Sequence, residues 1–195
     1  MRSRLGIAAF WLWVPAMVLP GVYLMAGHLL TLPRPDQLDP DVARAIEAAR
    51  APEERGAWMA VHVLSAECGC SQRVLEHLVA RGPVSGMREK VLFIGEPTAL
   101  TRRARAAGFT VDLLTGDELA ARYRLEAAPL LVVADPRDEV RYLGGYAERA
   151  GSPVIEDTSV FARLRAGESV APLPIFGCAV SRRLQKTLDP LGLKQ

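Results

Sequence analysis

The chain has 195 residues, with 24 lysines and arginines against 22 aspartates and glutamates and a formal net charge of +2. That length holds one domain of ordinary size plus an anchor, and not two full domains. Setting aside Arg2 and Arg4, which lie outside the globular part, leaves the remainder neutral, so nothing in it forms an electrostatic footprint for nucleic acid. Three cysteines are too few for a disulfide-stapled scaffold, and their odd number means that they cannot all pair within one chain. Cys68 and Cys70 sit one residue apart and Cys178 lies far along the chain, a layout of reactive thiols more than of structural bridges.

From Leu5 to Pro33 there is no formally charged residue, and Arg4 and Arg34 bracket the stretch. It is long enough to cross a hydrocarbon layer of roughly 30 Å as a helix. Trp11 and Trp13 toward one end and Tyr23 toward the other resemble interfacial aromatics, and membrane helices tolerate prolines such as Pro15 and Pro20. The competing reading is a cleaved signal peptide, with Arg2 and Arg4 as its n-region and Ala26-Gly27 as a cleavage site. The apolar stretch exceeds the usual h-region of about 7–15 residues, which favours a retained anchor over residues 1–32. Arg2, Arg4 and the amino terminus then place the N-terminus in the cytoplasm and the domain on the extracytoplasmic side, as a single-pass protein of the inner membrane.

Residues 33–55 read as a linker with a short helix. Three prolines between Thr31 and Pro40 make an extended tether, and Asp41–Arg50 places Val42 and Ile46 at helical spacing. Residues 56–168 alternate strands and helices. The predicted strands are Trp58–Leu64, Val91–Gly95, Phe109–Leu114, Leu130–Ala134 and Val140–Tyr146. The predicted helices are Ser71–Arg81, stopped by Gly82-Pro83, then Thr98–Ala107, Asp117–Tyr123 and Thr158–Ala166. This order implies an α/β layer structure with a mixed central sheet. Residues 169–195 form a Pro-rich and basic tail, whose Arg182, Arg183, Lys186 and Lys194 read as a solvated face.

The segment Ser65-Ala66-Glu67-Cys68-Gly69-Cys70 follows a buried strand at the start of a helix. A strand–helix insertion spans about Val91 to Tyr123, and Tyr123–Val133 with Ala128-Pro129 leads into a strand and a hairpin ending Gly144-Gly145-Tyr146. Taken together over Trp58 to Ala166, these features resemble the thioredoxin superfamily, and within it the membrane-tethered TlpA/ResA-type thiol–disulfide proteins of bacterial envelopes. The resemblance implies a thioredoxin-like fold preceded by one transmembrane helix, with Cys68 as nucleophile and Pro129 as a cis-proline facing the cysteines. It departs from the family's usual C-x-x-C: here the pattern is C-x-C followed by Ser71 at the second cysteine's place.

A cysteine at a helix mouth gains from unsatisfied backbone N–H groups and the positive end of the helix dipole, so Cys68 is expected as an exposed, partly ionised thiol. Glu67 opposes that ionisation and Arg73 compensates. Side chains two apart in a regular helix face different ways, so a Cys68–Cys70 bridge would be strained and oxidising. Cys178, reached through Pro172 and Pro174, is either a second resolving thiol or a small buried hydrophobe at a helix start. His28, in the span, and His62, mid-strand, carry little weight.

The expected activity is thiol–disulfide exchange with protein thiols or disulfides through a mixed disulfide at Cys68, resolved by Cys70 or Cys178. It needs no cofactor, because the cysteines carry the electrons. Two other classes remain. A copper-delivery protein would hold Cu(I) on Cys68 and Cys70 with His77, and a redox-inactive interaction module would need no thiol at all. The sequence is silent on oligomeric state.

Overall fold

The computed structural model describes residues 7, 10–19, 21–22, 31–35 and 39–189. Residues 10–19 are helical, and Phe10, Trp11, Leu12 and Trp13 are exposed. Among the described residues no helix is long and apolar enough to cross a membrane. Of the expected span, 5–33, residues 5–6, 8–9, 20 and 23–30 lie outside the described residues, as do Arg2, Arg4 and the end of the tail from 190 onward; Tyr23 and His28 fall in that gap.

Helix α1 (Pro40–Ala49) opens with Pro40 at its first position, and the Asp39 side chain accepts from the Asp41 N–H at 2.8 Å. Its apolar stripe buries Val42 and Ile46. After a single 3-10 turn (Pro52–Glu54) comes β1 (Trp58–Ser65), buried along nearly its whole length. Helix α2 (Gly69–Arg81) follows with Cys68 as its N-cap, burying Val74, Leu75 and Leu78 and ending at Gly82, whose φ of 70° only glycine adopts freely. Then come β2 (Met87–Ile94), α3 (Ala99–Ala106), β3 (Thr110–Leu114) and α4 (Gly116–Tyr123). The two-residue β4 (Ala127–Ala128) precedes β5 (Leu130–Ala134), β6 (Val140–Gly144) and α5 (Asp157–Arg165). A second two-residue strand, β7 (Cys178–Ala179), and α6 (Arg182–Leu188) close the chain.

The central sheet has the order β3-β2-β1-β5-β6, with β1, β2 and β3 parallel and β5 and β6 antiparallel. Alternation along β1 divides the interior. Ala60 and Leu64 join α2, α3 and α5 on one face, while Met59, Val61 and Val63 join α1, α4 and α6 on the other. This is a thioredoxin-like α/β fold with a mixed sheet. The register sets the site: Val63 pairs with Leu130, so Ala128-Pro129 comes to lie beside the turn that carries β1 into α2.

The tail lies against the body. Gly145 N–H donates to Leu173 O at 2.9 Å, Leu32 N–H to Ile175 O at 2.9 Å, and Val180 N–H to Glu126 O at 2.8 Å. Ile175 is buried, and β7 pairs antiparallel with β4, Cys178 opposite Ala128. Arg183 pairs with Glu126, and Ser181 Oγ donates to the same carboxylate at 2.6 Å. The tail's basic residues therefore include one that holds it down, and Leu32, the last residue of the expected anchor, is bridged to Ile175 of the tail.

Candidate active site: three thiols beside a cis-proline

Cys68 caps α2 with extended backbone (φ −107°, ψ 111°), and its thiol donates to the Ala128 carbonyl at 3.6 Å. The Ala128–Pro129 peptide is cis. Cys68 is placed at the helix start and beside the proline, but it is buried at 1% exposure where an exposed sulfur was expected. The cover comes from the tail. Gly177 lies so close to this backbone that a Cβ on it would stand 2.0 Å from Ala128 O and 2.6 Å from Pro129 Cδ.

The next residue, Cys178, sits on β7 and not at a helix start, and it is exposed where the apolar reading had it buried. Its thiol meets that of Cys68. The hydrogen bond from Cys68 brings Cys178 below the ordinary thiol range in spite of partial burial. Cys70, one residue into α2, also meets Cys68. That contact, with burial, pushes Cys70 well above the ordinary range, and Arg73, whose guanidinium reaches its sulfur at 3.8 Å, only moderates the rise. All three cysteines are free and share one spot, so the expected site residues Cys68, Cys70, Pro129 and Cys178 are brought together. Arg73, expected to favour a Cys68 thiolate, makes its sulfur contact with Cys70.

A cleft of about 390 Å³ opens next to the thiols, with Cys70, Pro129 and Phe176 at one side and Arg73, His77 and Arg149 among its polar lining. Among the described residues no group of three or more His, Cys, Asp or Glu side chains is arranged to hold a metal ion. The three cysteines gather around the Ala128 carbonyl: Cys68 lies against it, Cys178 is paired opposite Ala128, and Cys70 is two residues on from Cys68.

Beneath the cleft runs a polar network that sequence reasoning passed over. His62, fully buried in β1, contacts Tyr146 Oη through Nδ1 and Glu89 Oε2 through Nε2, each at 2.9 Å. Because the carboxylate can only accept, Nε2 carries the proton. Arg81 Nη1 donates to Glu89 Oε1 at 3.1 Å, Arg81 Nε donates to Asp157 at 3.0 Å, and Asp157 in turn pairs with His77 at 2.9 Å. Tyr146 Oη donates to Leu130 O at 3.4 Å, one residue beyond Pro129. Burial alone would raise Glu89, but the hydrogen bonds from His62 and Arg81 outweigh it and bring the carboxyl down to about 2. Burial keeps the Tyr146 phenol neutral, well above its usual range. The visible signal was His62 itself, a polar residue in the middle of an otherwise apolar strand.

No protein-family model and no curated protein matches the chain. Among solved structures it is similar to an uncharacterized conserved protein from Geobacillus kaustophilus, at 17% identity over 66% of this chain and 78% of that one, with a TM-score of 0.50. It is similar to a hypothetical protein from Sinorhizobium meliloti 1021 at 17% identity over 78% of this chain and 91% of that one, also with a TM-score of 0.50. A secreted Mycobacterium tuberculosis disulfide oxidoreductase aligns at 13% identity over 58% of this chain and 84% of that one, with a TM-score of 0.41. At 17% identity the likeness to the first two is one of fold alone.

Proposed function

We propose that this chain is a membrane-anchored thiol–disulfide oxidoreductase of the bacterial envelope. It works on protein thiols or disulfides through Cys68 of the Cys68-Gly69-Cys70 motif, paired with Cys70 or Cys178. The observation that carries the reading is the free Cys68 thiol at a helix N-cap and against the carbonyl that precedes cis-Pro129, with Cys178 paired opposite that same Ala128. Sulfurs in mutual contact can pass a disulfide between them without a cofactor, because each exchange is an in-line attack of one sulfur on another. Cys68, beside the carbonyl opposite which Cys178 is paired and two residues before Cys70, is the sulfur placed to pair with either neighbour. The anchor reading rests on the charge-free stretch from Leu5 to Pro33, whose helical part 10–19 presents apolar side chains on nearly every side, as a helix in lipid does.

The test is turnover of a disulfide-bonded model protein by the full chain in detergent, with a thiol reductant present. The wild type accelerates reduction over the reductant alone, and Cys68→Ser abolishes the acceleration. Equal rates for wild type and Cys68→Ser would exclude thiol chemistry at this site.

A further inference from the structure

Exposure divides the three thiols unequally. Cys68 is sealed beneath the tail at 1% exposure, whereas Cys178 is exposed. An incoming disulfide bound to another protein can reach only a sulfur that solvent reaches, unless the fold opens first. Tail position is fixed by backbone pairing on both sides of the cysteine: Cys178 is held opposite Ala128, and Val180 N–H is bonded to Glu126 O. Gly177 lets the strand press against Ala128 and Pro129, where any side chain would hold it off. The tail thus carries a thiol onto the site and covers the thiol already there.

We propose that Cys178 is the sulfur that attacks the substrate disulfide and that buried Cys68 is the resolving sulfur, with the tail strand as a permanent part of the active site. This rests on the thiol–disulfide reading above and assigns its two steps. The Cys178 thiolate attacks one sulfur of the substrate, RS–SR′. The Cys178–SR bond forms, the S–S bond breaks, and R′S⁻ leaves. Cys68 then attacks the Cys178 sulfur, giving the Cys68–Cys178 disulfide and releasing RS⁻. The two thiol protons end on the two departing thiols. The substrate gains two electrons and the cysteine pair loses them, and a thiol or dithiol reductant returns the pair to its starting state by the reverse steps. The backbone register brings the two sulfurs together: Cys178 is paired opposite Ala128, and Cys68 lies against the Ala128 carbonyl, so the neighbouring Cys68 thiol also favours ionisation of Cys178. Cys70 borders the cleft, but its contact with Cys68 and partial burial hold it protonated, a poor attacking group at neutral pH.

Oxidised glutathione serves as the probe disulfide, with adducts located by peptide mass mapping on the full chain. In Cys68→Ser a glutathionyl adduct accumulates on Cys178, because nothing remains to resolve it. In Cys178→Ser the first step slows by about tenfold or more, since Cys68 must wait for local opening. An adduct on Cys68 in Cys178→Ser at the wild-type rate overturns the assignment. A second measurement needs no variant: substoichiometric iodoacetamide on the folded reduced wild type labels Cys178 before Cys68 and Cys70, and any other order overturns the assignment. The two levels fail separately. Wild-type protein that never forms an internal disulfide with oxidised glutathione refutes thiol exchange altogether, whereas active protein with the adduct on Cys68 refutes only the division of roles.

Discussion

Gly177 shows how much of the site depends on a missing side chain. Its Cβ position falls 2.0 Å from the Ala128 carbonyl oxygen, inside any tolerable contact, and the obstacle is backbone, which cannot swing aside. Gly177→Ala therefore has to lift the strand that bears Cys178 from β4. The expected cost is about 1–3 kcal/mol, the range for overpacking a close contact, and it is read as a lower urea midpoint. The same variant should expose Cys68, so its alkylation rate in the folded state rises relative to wild type. An unchanged Cys68 rate would mean that the tail is not what shields it. Ser71, at the place of the usual second cysteine, is fully buried, and its hydroxyl has no hydrogen-bond partner. It leaves Cys70 and Cys178 as the sulfurs that can serve Cys68.

At the scale of elements, the buried polar network joins β1, β2, α2 and α5 beneath the cysteines. Glu89 titrates near 2 in the folded chain against 4.5 for an ordinary glutamate. A depressed carboxylate contributes stability that is complete above the unfolded value and is lost as pH falls toward the folded one. The contribution is on the order of 3 kcal/mol, lost between roughly pH 4.5 and 2. Glu89→Gln should lose about that much at neutral pH, because Arg81 and His62 keep buried polar groups with no carboxylate to receive them. Its stability curve should also be flatter than wild type over the acid range. Parallel urea-derived curves for the two proteins would contradict this. The tail is held by apolar contact as well, and Ile175→Ala, removing a side chain 1% exposed, should cost about 2–5 kcal/mol.

The same elements mark what could be read from sequence. Leu130–Ala134 was legible end to end because five consecutive apolar residues buried on both faces form a run that only a central strand explains. The first half of β2 was not, since Arg88, Glu89 and Lys90 look like a solvated loop until Arg81 and His62 are known to meet Glu89 inside. Strands β4 and β7 were missed because each is two residues long and is defined only by its distant partner. The burial of Cys68 was illegible for the same reason: a helix-start motif is local, but Gly177, packed on the Ala128-Pro129 backbone beside it, belongs to the far end of the chain.

Over the whole molecule, Leu32, at the end of the expected anchor, and the tail residue Ile175 are bridged only three positions before Cys178. The segment leading from the proposed anchor therefore joins the body through the same strap that carries the exposed thiol. If residues 5–33 hold the protein in a bilayer, the full chain sediments with phosphatidylglycerol–phosphatidylcholine vesicles and resists extraction by high salt, while a fragment of residues 31–195 stays in the supernatant. Release of the full chain by salt would reduce the segment to a peripheral contact.

A redox titration of the full chain tests the central claim most directly. Graded mixtures of reduced and oxidised dithiol set the potential, and the remaining free cysteines are alkylated and located by mass. The account predicts that two thiols disappear together and reversibly, with a slope of about 30 mV per tenfold change in the oxidised-to-reduced ratio, and that Cys68 is one of the two. Loss of thiols one at a time, or a reversible pair that leaves Cys68 free, would contradict it.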